Sequence, residues 1–118
     1  MWSRQDSLPL APAAYPVLLG IRQQIPMVDA ALRRLVRLAG GVKVTCRDRA
    51  VQLRLEEFLN RVPVNGINHG LGSFLDGHLD SMLTYGNGVG EMVTDREGTE
   101  ILGLFNADPA CLRVKEDS

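Results

Sequence analysis

A chain of 118 residues with 45% hydrophobic and 23% charged residues is long enough for one small domain and too apolar for an intrinsically disordered protein. Its formal net charge of −1 excludes a global electrostatic attraction to nucleic acid or to an anionic membrane, so such contacts would need a local basic patch. Two cysteines, Cys46 and Cys111, are too few for a disulfide framework or a zinc site, and we expect both to be reduced and buried.

Residues 1–24 are predicted to form an extended, proline-rich arm ahead of a domain that spans residues 25–118. Spaced prolines favour extended or polyproline geometry, and this segment contains Pro9, Pro12 and Pro16. The arm is also apolar from Tyr15 to Leu19, which is unusual for a terminal segment that makes no packing contacts. It either packs on its own domain or docks on a neighbouring chain.

The first helix is predicted over residues 26–39. Pro26 suits the first helical turn, and Gly40 can adopt the positive φ that ends a helix. Apolar residues recur at helical spacing along one face: Val28, Ala31, Leu32, Leu35, Val36 and Ala39. Three arginines lie away from that stripe: Arg33, Arg34 and Arg37. We interpret them as a solvated face, with a cluster that meets phosphate or a neighbour's acids as the alternative.

A short strand and a second helix are predicted next. Residues 42–46, VKVTC, alternate apolar and polar side chains as a half-buried strand does. Asp48 is predicted to cap the second helix, and Pro63 is predicted to end it. The inner stripe of this helix is Val51, Leu55, Phe58, Leu59 and Val62.

A turn-rich link, VNGINHG, separates the second helix from a third one, which Ser73 is predicted to cap and which runs to about Thr84. His78 falls close to the apolar stripe of this helix, so we expect a core or interface histidine rather than a metal ligand. Asp76 and Asp80 share a face, but two carboxylates alone make a weak metal site, and we expect both to be solvated.

The spacing changes from helical to alternating after Gly86. VGEMVTD and EILGLF are predicted strands joined by the turn DREG, and CLRVK is predicted as a third strand after the turn NADPA. The predicted fold is therefore an α+β domain, in which three amphipathic helices pack on a small, mostly antiparallel sheet. That sheet combines the short strand with the C-terminal β-meander.

Three glycines at alternate positions, Gly86, Gly88 and Gly90, stand in the stretch LTYGNGVGEM. A dinucleotide-binding loop follows a strand and precedes a helix, whereas here the helix comes first. We therefore expect Gly86 to end the helix, and the later glycines to allow a close approach to the following strand.

The residues do not indicate an enzyme. Cys46 or Cys111 could pair with His69 or His78 for thiol chemistry, which leaves a small cysteine/histidine hydrolase as an alternative, but no nucleophile signature surrounds either cysteine. Glu91 is the one carboxylate in an apolar strand, and we expect it to face water. We predict no catalytic residue, cofactor or metal.

The order of elements resembles the N-terminal wing region of the portal proteins of tailed bacteriophages. The resemblance covers about residues 25–115, and its most specific part is the YGN junction followed by a hairpin. The matching segments are MVDAALRRLVRLAGGVKV, LRLEEFLNRVPVN, FLDGHLDSMLTYGNGVGEMV, DREG and ILGLFNADPACLRV. Members of that family commonly place an alanine and an aromatic residue after GN, where this chain has Gly88, Val89 and Gly90.

The resemblance implies a structural role in a ring of subunits at one capsid vertex, through which double-stranded DNA is packaged and ejected. It implies self-association as part of a longer portal chain, contacts with capsid, terminase and head-tail adaptor proteins, and contact with DNA only through the complete assembly. The implied location is the virion or, during assembly, the host cytoplasm, with no membrane contact. A prophage adaptor module that binds a protein partner is a further alternative. Portals are several times longer than 118 residues, so the chain would correspond to a fragment, a truncated remnant or a separately encoded piece.

Overall fold

The computed structural model describes residues 13–112, which form an α+β fold with a mixed, mostly antiparallel sheet. The elements in chain order are α1 (Ala14–Gln24), α2 (Pro26–Ala39), α3 (Arg49–Arg61), β1 (Pro63–Val64), β2 (Asn68–His69), α4 (Leu71–Tyr85), β3 (Val89–Thr94), β4 (Ile101–Ala107) and a 3₁₀ turn (Pro109–Cys111). The predicted fold class is confirmed. Within the described range there are four α-helices rather than the three expected.

The prediction of an extended arm is wrong for its second half, because Ala14–Gln24 forms α1. Pro16 is the third residue of this helix, and the amides of the first turn have no partner inside a helix, so a proline there removes nothing. The helix packs against α2 and α4. Pro9 and Pro12 lie outside the described residues.

The helix predicted over residues 26–39 is confirmed as α2. Pro26 occupies its first position, and Gly40 follows its last residue with φ of 70°. Val36 is its buried residue, whereas the rest of the apolar stripe is half-buried or exposed. The stripe is therefore only partly covered by this chain.

The strand predicted over residues 42–46 is wrong, since this segment pairs with no strand. The side chain of Gln52 takes the place of a partner: its Nε2 donates to the Val44 carbonyl at 3.1 Å, and its Oε1 accepts from the Cys46 N–H. The alternating apolar and polar residues therefore lie in an irregular link, whose backbone groups are bound by the side chain of Gln52. Val42 is 63% exposed, so the expected half-burial is also absent.

The second predicted helix is confirmed as α3, with Asp48 as its cap. The Asp48 carboxylate accepts from the N–H groups of Ala50 at 2.9 Å and Val51 at 3.2 Å. The helix ends at Arg61, two residues before Pro63. Directly after the last turn of α3, Val62 and Val64 lie in the buried core.

The turn-rich link forms a small hairpin, in which β1 pairs with β2 across the three-residue loop 65–67. In this loop Asn65 and Gly66 have φ of 53° and 79°, the left-handed geometry that Asn and Gly adopt more readily than other residues. The predicted Ser73 cap is wrong: α4 begins at Leu71 after Gly70, and the Ser73 hydroxyl donates back to the His69 carbonyl at 3.0 Å.

The sheet has the strand order β2-β1-β4-β3, with β3 and β4 forming an antiparallel hairpin. Asp95 holds its turn, accepting from the N–H groups of Thr99 at 2.7 Å and Glu100 at 3.0 Å. The buried core is Val62, Val64 and Leu104, with Phe58, Leu71, Phe74 and Ile101 packed against it. This core lies where β1 runs parallel to β4.

The third strand of the predicted β-meander, CLRVK, falls mostly outside the described residues. In the part that is described, Cys111 and Leu112 belong to no strand. Cys111 instead ends the 3₁₀ turn, which the Asp108 side chain caps by accepting from the Ala110 N–H at 2.9 Å. Arg113, Val114 and Lys115 lie outside the described residues.

Candidate interaction surface

Arg22 attaches α1 to the rest of the domain. Its side chain is buried, and it donates from Nε to Asp29 of α2 at 2.7 Å and from Nη1 to Asp80 and Thr84 of α4, each at 2.7 Å. We call this cluster the Arg22 clamp: Arg22, Asp29, Asp80 and Thr84. A buried charge is tolerable only when it is paired and hydrogen-bonded, and here both conditions hold. Asp80 pairs with Arg22 while its side chain stays 43% exposed, and Asp76 is exposed, as expected for solvated carboxylates.

Ionisation within the Arg22 clamp follows from these contacts. Burial alone would lower the pKa of Arg22, but its hydrogen bonds to Asp29 and Asp80 outweigh burial and raise the pKa. The hydrogen bond from Arg22 lowers the pKa of Asp29, and Arg33, whose Nε lies 2.8 Å from Asp29 Oδ2, lowers it further. The clamp is therefore charged on both sides at neutral pH.

Tyr15 makes the second attachment of α1. It is buried, and its hydroxyl accepts from Asn87 Nδ2 at 3.0 Å. Its ring lies 5.5 Å from the ring of Tyr85, at an interplanar angle of 57°. Burial raises the pKa of Tyr85, and the nearby Asp108 charge raises it further. Of the two alternatives for the arm, packing on its own domain is confirmed for Tyr15, whereas Val17 and Leu19 of the same helix are exposed.

The three alternating glycines form the junction between α4 and β3. Gly86 ends the helix in the left-handed conformation, with φ of 78°, as predicted. The close approach predicted for the later glycines is confirmed, by a backbone group of α4 at Gly88 and by a side chain of α4 at Gly90. A Cβ added at Gly88 would lie 3.0 Å from the His78 carbonyl, and one added at Gly90 would lie 2.5 Å from Phe74 Cζ.

His78, predicted to be a core or interface histidine, lies on α4 beside this junction. Its ring stacks on that of Phe74 with centroids 5.8 Å apart, and it is half-buried. In the range 13–112, the buried Nδ1 of His78 has no hydrogen-bond partner. Glu91 is exposed on the following strand, as expected.

Both cysteines are free and exposed, so the prediction that they are buried is wrong. Cys46 lies in the irregular link before α3, and Cys111 lies in the 3₁₀ turn, outside any strand. Among the described residues, no hydrogen bond joins a cysteine to a histidine; the Cys111 Sγ instead lies 3.8 Å from Asp108 Oδ2. Residues 13–112 therefore do not form the hydrogen-bonded thiol–imidazole pair that a cysteine/histidine hydrolase would need.

Large apolar side chains are exposed over much of the helical layer. Met27 and Leu38, at the two ends of α2, are 81% and 71% exposed, and Val17 of α1 is 61% exposed. We call the following set the open helical surface: Val17, Ile21, Ile25, Met27, Leu35, Leu38 and Val42, all of which are exposed. Of these residues only Leu35 belongs to the apolar stripe predicted for α2, because Met27 and Leu38 lie outside that stripe.

Comparison of the chain with protein-family models, with curated proteins and with solved structures finds no match. The portal resemblance therefore rests on the quoted sequence segments alone. Within residues 13–112, none of the helices has the length and apolar character needed to span a membrane. No group of three His, Cys, Asp or Glu side chains in that same range is arranged to hold a metal ion.

Proposed function

We propose that this chain is a structural assembly module of the portal-wing type, which associates with other copies of itself through the open helical surface. The observation that supports this role is the imbalance between buried and exposed apolar residues. In the described part of the chain, five hydrophobic residues form the buried set, whereas eighteen large hydrophobic residues are exposed. Exposed apolar surface on this scale is typical of chains that meet other proteins.

The energetic argument concerns the outer side of α2. Burying a side chain such as Met27 or Leu38 is worth about 1.5–3 kcal/mol when its full surface leaves water. Several such residues can offset the cost of association, which is about 4–15 kcal/mol before any favourable contact is counted. The open helical surface therefore suits a multi-subunit contact, in which each copy buries apolar residues that its own core does not reach.

The proposed role is a ring at a capsid vertex, with capsid, terminase and head-tail adaptor proteins as further partners. The module would act in the virion and, during assembly, in the host cytoplasm, without catalysing a reaction. Its contact with double-stranded DNA would come only through the complete assembly. One of the three outward arginines of α2, Arg33, is already paired with Asp29, which reduces the positive charge left for phosphate.

Sedimentation velocity of the full chain tests the assembly role. We expect the mean mass to rise with protein concentration, and the double variant Met27→Glu/Leu38→Glu to remain monomeric. The matched control is Arg34→Glu, which changes the charge of the same helix at an exposed position and leaves the apolar side chains in place. A wild-type chain that stays monomeric at all concentrations would contradict the proposal, and a discrete one-to-one complex with another protein would favour the adaptor alternative.

A gel-shift titration tests the predicted indirect contact with DNA. We expect the isolated chain to leave a double-stranded fragment unshifted at physiological salt. Tight binding that weakens steeply as salt is added would indicate direct phosphate contacts and would overturn this part of the proposal.

A further inference from the structure

The outer edge of β3 is open. β3 is the last strand in the sheet order, so its outer side has no strand partner among residues 13–112. The six-residue strand VGEMVT contains neither proline nor lysine, which commonly protect an edge, and Glu91 is its only charged residue. Its first four residues are exposed. Such an edge is a template for an added strand.

Hydrogen bonds on the far side of β4 fix which backbone groups of β3 point outward. The Asn106 N–H donates to Asn65 Oδ1 at 2.8 Å, and the Leu104 carbonyl accepts from the Asn65 N–H at 3.0 Å, so both groups face β1. Gly90 and Met92 are the residues of β3 opposite Asn106 and Leu104. Because backbone groups alternate across an antiparallel pair, the N–H and C=O groups of Gly90 and Met92 point to the open edge.

We propose that the open edge of β3 receives residues 112–115 of a neighbouring copy of this chain as an added antiparallel strand. Leu112 has extended geometry, with φ of −111° and ψ of 146°. The sequence LRVK that begins there alternates apolar and cationic residues, as a half-exposed strand does. The inference deepens the proposed assembly role and rests on it, since the donor strand belongs to another subunit.

The alternation of the donor segment matches the two faces of β3. With Leu112 opposite Met92 and Val114 opposite Gly90, both apolar residues lie on the face of the sheet that α4 covers, where Phe74 contacts Gly90. In the same register Arg113 lies opposite Glu91, on the other face. Opposite charges across strands stabilise a pair, so the only charged residue of β3 selects for a cationic donor.

A neighbouring copy supplies this strand more readily than the same chain does. β4 ends at Ala107, opposite Val89 at the start of β3, so a strand from the same chain would have to cross the start of β3 first. That crossing spans two strand spacings, or about 9–10 Å. In the proposed register Leu112 would also have to lie opposite Met92, three residues or about 10 Å along β3 from Val89, which brings the required distance to about 14 Å. The 3₁₀ turn advances only about 6 Å, and one extended step on either side of it raises the reach of the chain to at most about 13 Å. The turn also contacts α1.

The test uses a synthetic peptide of residues 110–118 carrying Cys111→Ser, titrated into the full-length chain under reducing conditions and followed by amide NMR. We expect shifts at the amides of Gly90, Glu91 and Met92. The exposed substitution Glu91→Lys should weaken peptide binding by about tenfold. A second peptide in which Arg113 and Lys115 are replaced by Glu should restore binding to that variant.

Met92→Pro provides a test that does not depend on charge. The Met92 N–H points outward, so proline removes the donor of the added strand without breaking the ladder to β4. We expect this variant to lose peptide binding and Met92→Ala to keep it. If the proline variant does not fold, the charge exchange at Glu91 still decides.

Three results would overturn the inference: absence of shifts in β3, equal binding of both peptides by wild type and Glu91→Lys, or binding only to a chain truncated after Cys111. The last result would mean that each chain covers its own edge. Self-association without peptide binding would overturn this inference and leave the proposed assembly role intact. Peptide binding by a chain that never self-associates would overturn both the assembly role and the neighbouring copy as donor.

Discussion

The sheet with its core, which we call the strand end of the molecule, and the helix α1 are held by different kinds of interaction. The strand end combines a six-pair antiparallel ladder between β3 and β4 with the buried apolar cluster of Val62, Val64 and Leu104. The helix α1 is attached mainly through polar groups, namely Arg22 in its clamp and the hydroxyl of Tyr15, with the Tyr15 ring packed against Tyr85. An apolar cluster supplies free energy without fixing direction, whereas ion pairs and hydrogen bonds fix direction and supply little net stability.

Apolar residues stay exposed in both regions of the molecule. In α1, Val17 and Ile21 are 61% and 43% exposed. In the sheet, Met92 and Leu102 are 59% and 51% exposed, although the core beside them is buried. The two regions therefore differ in how they are held and not in whether they expose apolar residues.

The largest effect is expected from a change in the strand-end core. Leu104→Ala should destabilise the fold by about 2–5 kcal/mol, because Leu104 is buried between β1 and the surrounding apolar residues. Urea denaturation followed by circular dichroism measures the change. The control Leu102→Ala removes a side chain that is 51% exposed on the same strand and should cost less than about 1 kcal/mol. Equal losses for both variants would mean that the core is placed incorrectly.

A smaller effect is expected from breaking the Arg22 clamp. Arg22→Met keeps the apolar stem but removes the hydrogen bonds to Asp29, Asp80 and Thr84, which should cost about 2 kcal/mol. Hydrogen exchange should show the loss mainly in α1. Arg33→Met removes a partner of Asp29 that is 67% exposed and should change stability by no more than about 0.5 kcal/mol. A wild-type exchange pattern in Arg22→Met would show that α1 does not depend on the clamp.

The glycine junction offers a third comparison between the two regions. Gly90→Ala places a methyl group 2.5 Å from Phe74 Cζ and should destabilise the fold by about 1–2 kcal/mol, with the ring displaced. Gly20→Ala, in the interior of α1 with no atom within 4 Å, should instead stabilise by about 0.5–1 kcal/mol. Thermal melts of both variants check the opposite signs. Stabilisation by Gly90→Ala would refute the close packing of β3 on α4.

The smallest effect is expected in the acid range. The hydrogen bond from Arg22 lowers the pKa of Asp29 below its ordinary value of 3.8. A carboxyl with a lowered folded-state pKa contributes stability above its unfolded pKa and loses that contribution as pH falls through the folded value. The urea concentration at the unfolding midpoint should therefore decrease as the pH is lowered below about 4. The decrease should be less steep in Arg22→Met than in wild type. Arg34→Met, which does not touch Asp29, should follow the wild-type curve.

Local signals predicted much of the fold. Pro26 and Gly40 bound α2, Asp48 caps α3, and the Asp95 turn joins β3 to β4, because each of these roles depends on a few adjacent residues. Gly86 ended α4 for the same reason. The sequence reliably indicated elements whose start or stop is decided within one helical turn or one hairpin loop.

Errors arose where distant contacts decide the outcome. Residues 42–46 have strand-like alternation but no available partner, and Gln52 captures their backbone groups instead. Arg22 and Asp80 are 58 positions apart in sequence, so no local pattern paired them. The burial of Cys46 and Cys111 was inferred from predicted strands, and it was lost with them. The open helical surface shares only Leu35 with the predicted apolar stripe of α2, because which apolar residues stay exposed depends on the whole fold.

Hydrogen exchange of the full chain at low and high protein concentration shows whether the surfaces that this fold leaves open are contacts between copies. If they are, α2 from Met27 to Leu38 and the outward amides of Gly90 and Met92 become more protected as the protein concentration rises. The amide of Leu104, in the core, should stay unchanged. Protection that is independent of concentration at all of these positions would contradict the account.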